Sequence, residues 1–75
     1  MRAYVFVNVK AGKAKQIAQQ MAQLDGVRAA DACWGMPDVI VAVEVKNERA
    51  LNDLVFTQIS KMSDVERTDT HIALD

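Results

Sequence analysis

The residues best suited to chemistry lie directly before the most apolar run of the chain: Gly35, Met36, Pro37 and Asp38. Gly35 tolerates a positive φ, while Pro37 fixes its own φ and biases Met36 toward extended geometry. A stiff loop can present free backbone N–H groups to a carboxylate, and the Asp38 carboxylate can pair with an ammonium group. A ligand that carries both a carboxylate and an ammonium group would fit this loop, and a free amino acid carries both. The same residue types also make an ordinary hairpin turn capped by Asp38, so both interpretations stay open.

Other reactive side chains lack the partners that catalysis or metal binding needs. His71 is the only histidine and Cys33 the only cysteine, so the sequence offers no metal-ligand set, and the Cys33 thiol has no evident base other than His71. The segment Lys10–Lys15 places lysines and a glycine where a strand leads into a helix, but it lacks the P-loop pattern. We therefore predict no catalytic residue, no metal site and no cofactor.

Composition limits the class of protein. The chain has 75 residues, of which 51% are apolar and 5% aromatic, and its formal net charge is −1. A basic excess, which a free-standing nucleic-acid binder normally shows, is absent. One cysteine rules out an internal disulfide, and no apolar run approaches a membrane span. We expect a single domain over residues 1–75, soluble and cytoplasmic, with no direct contact to nucleic acid or membrane.

Four strand patterns and two helix patterns position these residues. Apolar residues alternate in the strand segments and recur every three or four positions in the helical ones. The strands are predicted over Ala3–Val9, Val27–Trp34, Val39–Val45 and Val65–Leu74, and the helices over Lys13–Leu24 and from the cap Asn47 to about Lys61. The order βαββαβ predicts an α+β, ferredoxin-like fold, in which a four-stranded antiparallel sheet of order 4-1-3-2 carries both helices on one face.

The other face of this sheet has no predicted cover. The third strand places Val39, Val41 and Val43 on one side and Ile40 and Ala42 on the other, so it is apolar on both. A sheet that faced water would instead alternate apolar and polar residues. We therefore expect two copies of the chain to dimerise through the sheet, either as an obligate dimer or within a ring of dimers.

Three segments carry a resemblance to a known family: Tyr4–Lys13, Leu24–Val45 and Ser60–Leu74. The first segment is a strand that leads into a helix. The second contains a strand that starts with Gly-Val, a G-x-x-D loop and an apolar strand. The third ends in a strand with the pattern Thr-x-Thr. This arrangement resembles the effector-binding domain of the Lrp/AsnC (feast/famine) transcriptional regulators, also called the RAM domain, over nearly the whole chain.

The resemblance implies a ferredoxin-like fold, dimers joined through their sheets, often rings of four dimers, and an amino-acid effector held where dimers meet. By position, Gly35 and Asp38 match the glycine and the aspartate of the family's ligand loop, with Met36 and Pro37 between them. Thr68 and Thr70 match the hydroxyl residues of the last strand that line the family's pocket. The family commonly has an aromatic residue where this chain has Pro37. Family regulators also carry an N-terminal helix-turn-helix domain, whereas this chain starts at the first strand and resembles the stand-alone form.

The function expected from the sequence is an amino-acid-binding and oligomerisation module, not an enzyme, that modulates transcription by assembling with full-length regulators of this family. A dimeric α+β barrel enzyme has the same element order and would have to use His71, Tyr4, Asn8 or Cys33. A purely structural oligomerisation unit, with its pocket filled by its own side chains, is the third interpretation.

Overall fold

The computed structural model describes residues 1–74, and the predicted order of strands and helices is confirmed. The strands are β1 (Arg2–Val9), β2 (Val27–Ala32), β3 (Val39–Glu44) and β4 (Val65–Ile72). The first helix is α1 (Ala14–Met21), and the second region begins as α2 (Glu48–Asn52) and continues as a π-helix over Asp53–Ile59. The chain therefore folds as two strand–helix–strand units.

The four strands form one antiparallel sheet in the order β2-β3-β1-β4, which is the predicted order. Val5 of β1 lies opposite Val41 of β3 on one side and opposite Thr70 of β4 on the other. The two central strands are the two most apolar ones. β2 and β4 are the edges, and β2 carries the charged residues Arg28 and Asp31, which suit an edge strand.

One face of the sheet, the covered face, packs against both helical regions. Its central residues Val5, Val7, Val39 and Val41 are completely buried, and the helices place further buried residues above them, including Ile17, Met21 and Ile59. Alternate residues of a strand point to opposite faces, so the neighbours of these valines form the other, open face. On β1 and β3 that face consists of Arg2, Tyr4, Phe6, Asn8, Ile40, Ala42 and Glu44.

The second helical region begins at a side-chain cap. Asn47 has extended backbone geometry and its Oδ1 accepts a hydrogen bond from the Ala50 N–H at 2.9 Å, which confirms the predicted cap. Beyond Asn52 the backbone adopts π-helical geometry, which the sequence did not predict. Leu54, Val55 and Ile59 of this π-helix are buried in the core.

Several predicted ends were wrong. The first helix stops at Met21, not at the predicted Leu24. Gly26 lies in the turn before β2, with a φ of 94°. A Cβ at Gly26 would lie 3.1 Å from Val45 Cγ1, so this turn passes close to the end of β3. Strand β2 ends at Ala32, before the predicted end at Trp34.

Candidate functional site

The predicted ligand loop is the hairpin that joins β2 to β3, and it projects from the sheet. Gly35 has a φ of 117°, in the region that favours glycine, and no atom lies within 4 Å of a Cβ built there. The Met36–Pro37 peptide bond is cis. Trp34 and Met36 are 105% and 82% exposed, so the chain itself covers neither side chain.

Asp38 ties this loop to the end of β1. The Val9 N–H donates to Asp38 Oδ2 at 2.8 Å, and the Asp38 N–H donates to the Val7 carbonyl at 3.0 Å. The Cys33 N–H donates to the Asp38 carbonyl at 2.7 Å, which closes the hairpin. The expected cap of the hairpin turn is therefore not the bond observed, because the Asp38 side chain accepts from the neighbouring strand β1 instead of from its own loop. A carboxylate has about four acceptor positions, so Asp38 keeps capacity for a further donor.

Asp38 also lines a cavity at the β1–α1 junction. The volume of this cavity is about 300 Å³, and its other walls come from the segment between Val9 and Lys15, including Lys10 and Gly12. Two lysines, Lys10 and Lys15, thus share a cavity with the Asp38 carboxylate. The first helix begins after Lys13, whose side chain makes no capping hydrogen bond.

The two predicted threonines lie on β4 and belong to the covered face. Thr68 is opposite the buried Val7, and Thr70 is opposite the buried Val5. The Thr68 hydroxyl lies 3.5 Å from the Ser60 hydroxyl, at the end of the π-helix. Thr70 lines a cavity of about 290 Å³ whose other walls come from α2, the π-helix and Ile72; Phe56, 64% exposed, is one of its residues.

The six predicted site residues do not converge within one chain. Val7 is opposite both Val39 and Thr68, so Thr68 lies two strand spacings from the start of β3, on the order of 10 Å away. Asp38 and Thr70 line separate cavities, and Met36 and Pro37 line a third. A pocket that used both the loop and the threonines would therefore have to take them from different chains.

The third cavity, on the open face, contains two charged residues that were not predicted as site residues, Arg67 and Asp69, beside Asn8 of the enzyme alternative. Its volume is about 270 Å³, and it is lined by Phe6, Asn8, Met36, Pro37, Arg67 and Asp69. The register places Arg67, Asp69 and His71 on one face of β4, away from Thr68 and Thr70. Only the register, in which Asn8 is opposite Arg67 and Phe6 opposite Asp69, could show that β1 and β4 share this cavity.

Of the four residues of the enzyme alternative, Tyr4, Asn8 and His71 lie on the open face, where Tyr4 is directly opposite His71. His71 packs on Phe6, with ring centroids 4.7 Å apart. Cys33 follows the opposite edge strand, and its Sγ lies 3.5 Å from the Asp31 carbonyl oxygen.

Within residues 1–74 no three histidine, cysteine or acidic side chains are grouped as a metal site would need. In the same part of the chain, no helix has the length and hydropathy to span a bilayer.

The sheet order and the one-sided packing of the helices define a ferredoxin-like βαββαβ domain. Its candidate ligand contacts lie on a hairpin loop and on an edge strand. The sequence model of the Lrp/AsnC ligand binding domain matches residues 2–75, and the chain belongs to this family.

Known proteins agree with this assignment. An uncharacterised HTH-type transcriptional regulator of Pyrococcus furiosus is 27% identical over 70 residues, which cover 93% of this chain and 47% of that protein. The chain thus spans about half the length of the curated relative that it matches. A crystal structure of a Thermus thermophilus protein superposes with a TM-score of 0.92 at 26% identity, covering 99% of this chain and 92% of the other.

A transcriptional regulator of Neisseria meningitidis, solved as a complex with L-Met, is more distant in sequence. It superposes with a TM-score of 0.86 at 17% identity, over 99% of this chain and 49% of that one. At this level of identity the likeness shows a shared fold.

Proposed function

We propose that residues 1–75 act as an amino-acid effector-binding and oligomerisation domain in the cytoplasm, and that it modulates transcription by assembling with full-length Lrp/AsnC-type regulators. Membership of the family and the similarity to half of an HTH-type regulator support this proposal. The amino-acid ligand of the Neisseria regulator supports the ligand class. A regulatory family also argues for a binding role rather than an enzymatic one.

The observation that carries the proposal is apolar surface that one chain leaves uncovered in two places. On the open face, Tyr4 is 39% exposed, and Phe6 and Ile40 are half-buried. On the hairpin loop, Trp34 and Met36 are almost fully exposed. Contiguous apolar surface of this kind marks protein contacts. We propose that open faces pair in a dimer, and that the hairpin loops contact neighbouring dimers in a ring of four.

The ligand pocket of this assembly would combine residues of two chains. The loop Gly35–Asp38 of one chain would supply backbone N–H groups for the α-carboxylate and the remaining acceptor positions of Asp38 for the α-ammonium. Thr68 and Thr70 of a neighbouring chain would supply hydroxyl groups. Their separation within one chain supports this division. Ligand binding would then shift assembly, provided that the ligand binds one oligomeric state better than another.

Calorimetry against each of the twenty amino acids tests the sensing part. We expect heat of binding from one or a few of them. Thr70→Val, which keeps the shape of the side chain but removes the hydroxyl, should weaken binding about tenfold, since the loss of one good hydrogen bond is expected to cost about 1 kcal/mol or more. Thr57→Val, an exposed threonine of the π-helix outside every predicted contact, is the matched control. No heat from any amino acid would contradict the proposal.

Native mass spectrometry tests the assembly part. The chain is mixed with a full-length Lrp/AsnC-type regulator from the same cell, and the mixture is passed through one cycle of dissociation and reassociation. We expect oligomers that contain both chains in whole-dimer increments. If only separate homo-oligomers form, while the chain still binds an amino acid, the sensing part stands and the co-assembly part is wrong.

A further inference from the structure

The cavity on the open face has an unusual combination of groups for its size. It contains one cationic side chain, Arg67, one anionic side chain, Asp69, and one neutral amide, Asn8. Its remaining walls are apolar: Phe6, Met36 and Pro37. Its volume of about 270 Å³ is slightly below the usual range for ligand pockets, which begins at about 300 Å³. These properties fit a small, doubly charged ligand with a short apolar part.

The side chain of Asn8 is the strongest argument for a ligand in this cavity. Within residues 1–74, its Oδ1 is the only buried side-chain nitrogen or oxygen that lacks a hydrogen-bond partner. Leaving a buried acceptor unpaired costs about 1–3 kcal/mol, and native proteins contain few such atoms. Neither Arg67, opposite Asn8 in the register, nor any other described donor reaches it. This oxygen is inaccessible to solvent, so a donor from outside the chain can remove the cost only if the Asn8 amide turns toward the cavity.

Arg67 and Asp69 engage each other only loosely. Arg67 Nε lies 3.5 Å from Asp69 Oδ2, and their side chains are 69% and 52% exposed. Such an exposed pair adds little stability. The contact uses Nε, so the terminal nitrogens of the guanidinium can face a carboxylate, which arginine binds in bidentate geometry. One Asp69 oxygen also remains available to a donor.

We propose that this cavity is a second binding site for an α-amino acid with an apolar side chain, separate from the site made by the loop and the threonines. The α-carboxylate accepts hydrogen bonds from Arg67. The α-ammonium donates to the Asp69 carboxylate and, once the Asn8 amide has turned toward the cavity, to Asn8 Oδ1. The side chain packs on Phe6, Met36 and Pro37. Each charge of the ligand thus meets an opposite charge, and the buried amide oxygen gains its missing donor.

This inference rests on the proposed function, in which the protein senses amino acids. It adds to that function a second amino-acid site at a different place in the fold. In the proposed dimer, a second copy would pack on the open face and close over the cavity. The ligand would then lie beside the sheet-to-sheet contact, whereas the loop and threonine site would lie between dimers. Occupancy of the two sites can therefore be measured separately.

Nuclear magnetic resonance of the intact oligomer tests the site directly. The ¹⁵N-labelled protein is titrated with L-valine, L-leucine and L-methionine, and the Asn8 side-chain amide and the Arg67 Nε–H signals are followed. We expect at least one of the three to shift both signals with a common dissociation constant. If none of the three shifts either signal, the inference is overturned.

Derivatives of the best probe test whether both charges matter. The N-acetyl derivative lacks the ammonium group, and the amide derivative lacks the carboxylate. Each should bind at least about tenfold more weakly, since each loses a hydrogen-bonded charge pair. Equal binding of either derivative would overturn the proposed arrangement of the ligand.

Variants connect the binding to these residues and separate it from the proposed function. Arg67→Gln and Asp69→Asn should each weaken the binding seen at the Asn8 signal about tenfold or more. Arg28→Gln and Asp31→Asn make the same charge changes on β2, away from this cavity, and should leave it unchanged. Sedimentation must show that all four variants keep the oligomeric state.

The outcomes of the two proposals differ. If calorimetry detects an amino acid whose binding responds to Thr70→Val but not to Arg67→Gln or Asp69→Asn, the proposed function stands and the second site is wrong. If no amino acid binds at all, both proposals are wrong.

Discussion

The covered and open faces of the sheet are made by neighbouring residues of the same two strands, but the chain buries only one of them. Val41 is completely inaccessible, while Ile40, the preceding residue, is only half-buried. Both are β-branched and apolar, so their types alone do not distinguish the two environments. The difference arises because both helical regions lie on the same side of the sheet.

The two faces of the sheet also differ in their content of polar residues. Within residues 1–74, the buried core contains no polar or charged side chain. The open face combines apolar residues with an aromatic pair, Phe6 and His71, and with the loose ion pair of Arg67 and Asp69. Protein interfaces typically have this mixture of aromatic centre and polar surroundings. The comparison indicates that the covered face stabilises the fold, and it supports the proposal that the open face mediates association.

The largest effect is expected from Val41→Asp, on the covered face. The substitution buries an unpaired carboxylate among valines, at a cost of several kcal/mol that a domain of this size cannot offset. We expect the circular dichroism spectrum of an unfolded chain and no cooperative thermal transition. A folded variant with a sharp transition would show that this face is less tightly packed than the structure indicates.

The same substitution one residue earlier should act on association instead. Ile40→Asp places a charge on the open face, and we expect the dimer dissociation constant to rise at least about 100-fold, because a charge is buried in the interface without a partner. Sedimentation equilibrium measures this constant, and circular dichroism should still show helices and strands. Thermal stability should fall, because dimerisation no longer favours the folded state. An unchanged dimer would place the interface elsewhere.

A smaller effect is expected where the loop joins the sheet. Asp38→Ala removes the acceptor of the Val9 N–H and should lower the free energy of unfolding by about 1–2 kcal/mol. Asp38→Asn keeps an oxygen acceptor and should lose less than half as much. Urea denaturation at one fixed protein concentration measures both. If the two variants are equally stable, the side-chain hydrogen bond contributes nothing to the fold.

The smallest effect is expected on the helical side. Asn47→Ala removes the cap of α2 and should cost about 1 kcal/mol of unfolding free energy. Asn52→Ala is the control, since Asn52 makes no capping hydrogen bond. Neither substitution should change the dimer dissociation constant. A weaker dimer after Asn47→Ala alone would show that the helical side also takes part in association.

Much of the fold could be predicted because local patterns determine it. Alternation identified the strands, and the same alternation puts Thr68 and Thr70 on one face of β4 and Arg67 and Asp69 on the other, as the register does. The asparagine before the second helical region was recognisable as a cap from its type and position. The sheet order followed from the order of the elements, because few topologies accommodate two βαβ units.

The cavities could not be predicted, because they depend on contacts between residues distant in sequence. The hydrogen bond of Asp38 joins residues 29 positions apart, and it requires the loop to lie over the end of β1. The open-face cavity requires the register of β1 with β4. The π-helix was also missed, because Leu54, Val55 and Ile59 fit the buried side of an α-helix equally well.

The two edge strands have a consequence for solubility. Exposed strand edges can add further strands without limit, and charged side chains are a common protection against this. Here β4 carries Glu66, Arg67 and Asp69, and β2 carries Arg28 and Asp31. We expect these charges to oppose fibril growth along the sheet, so that concentrated solutions hold closed particles of defined size instead of filaments.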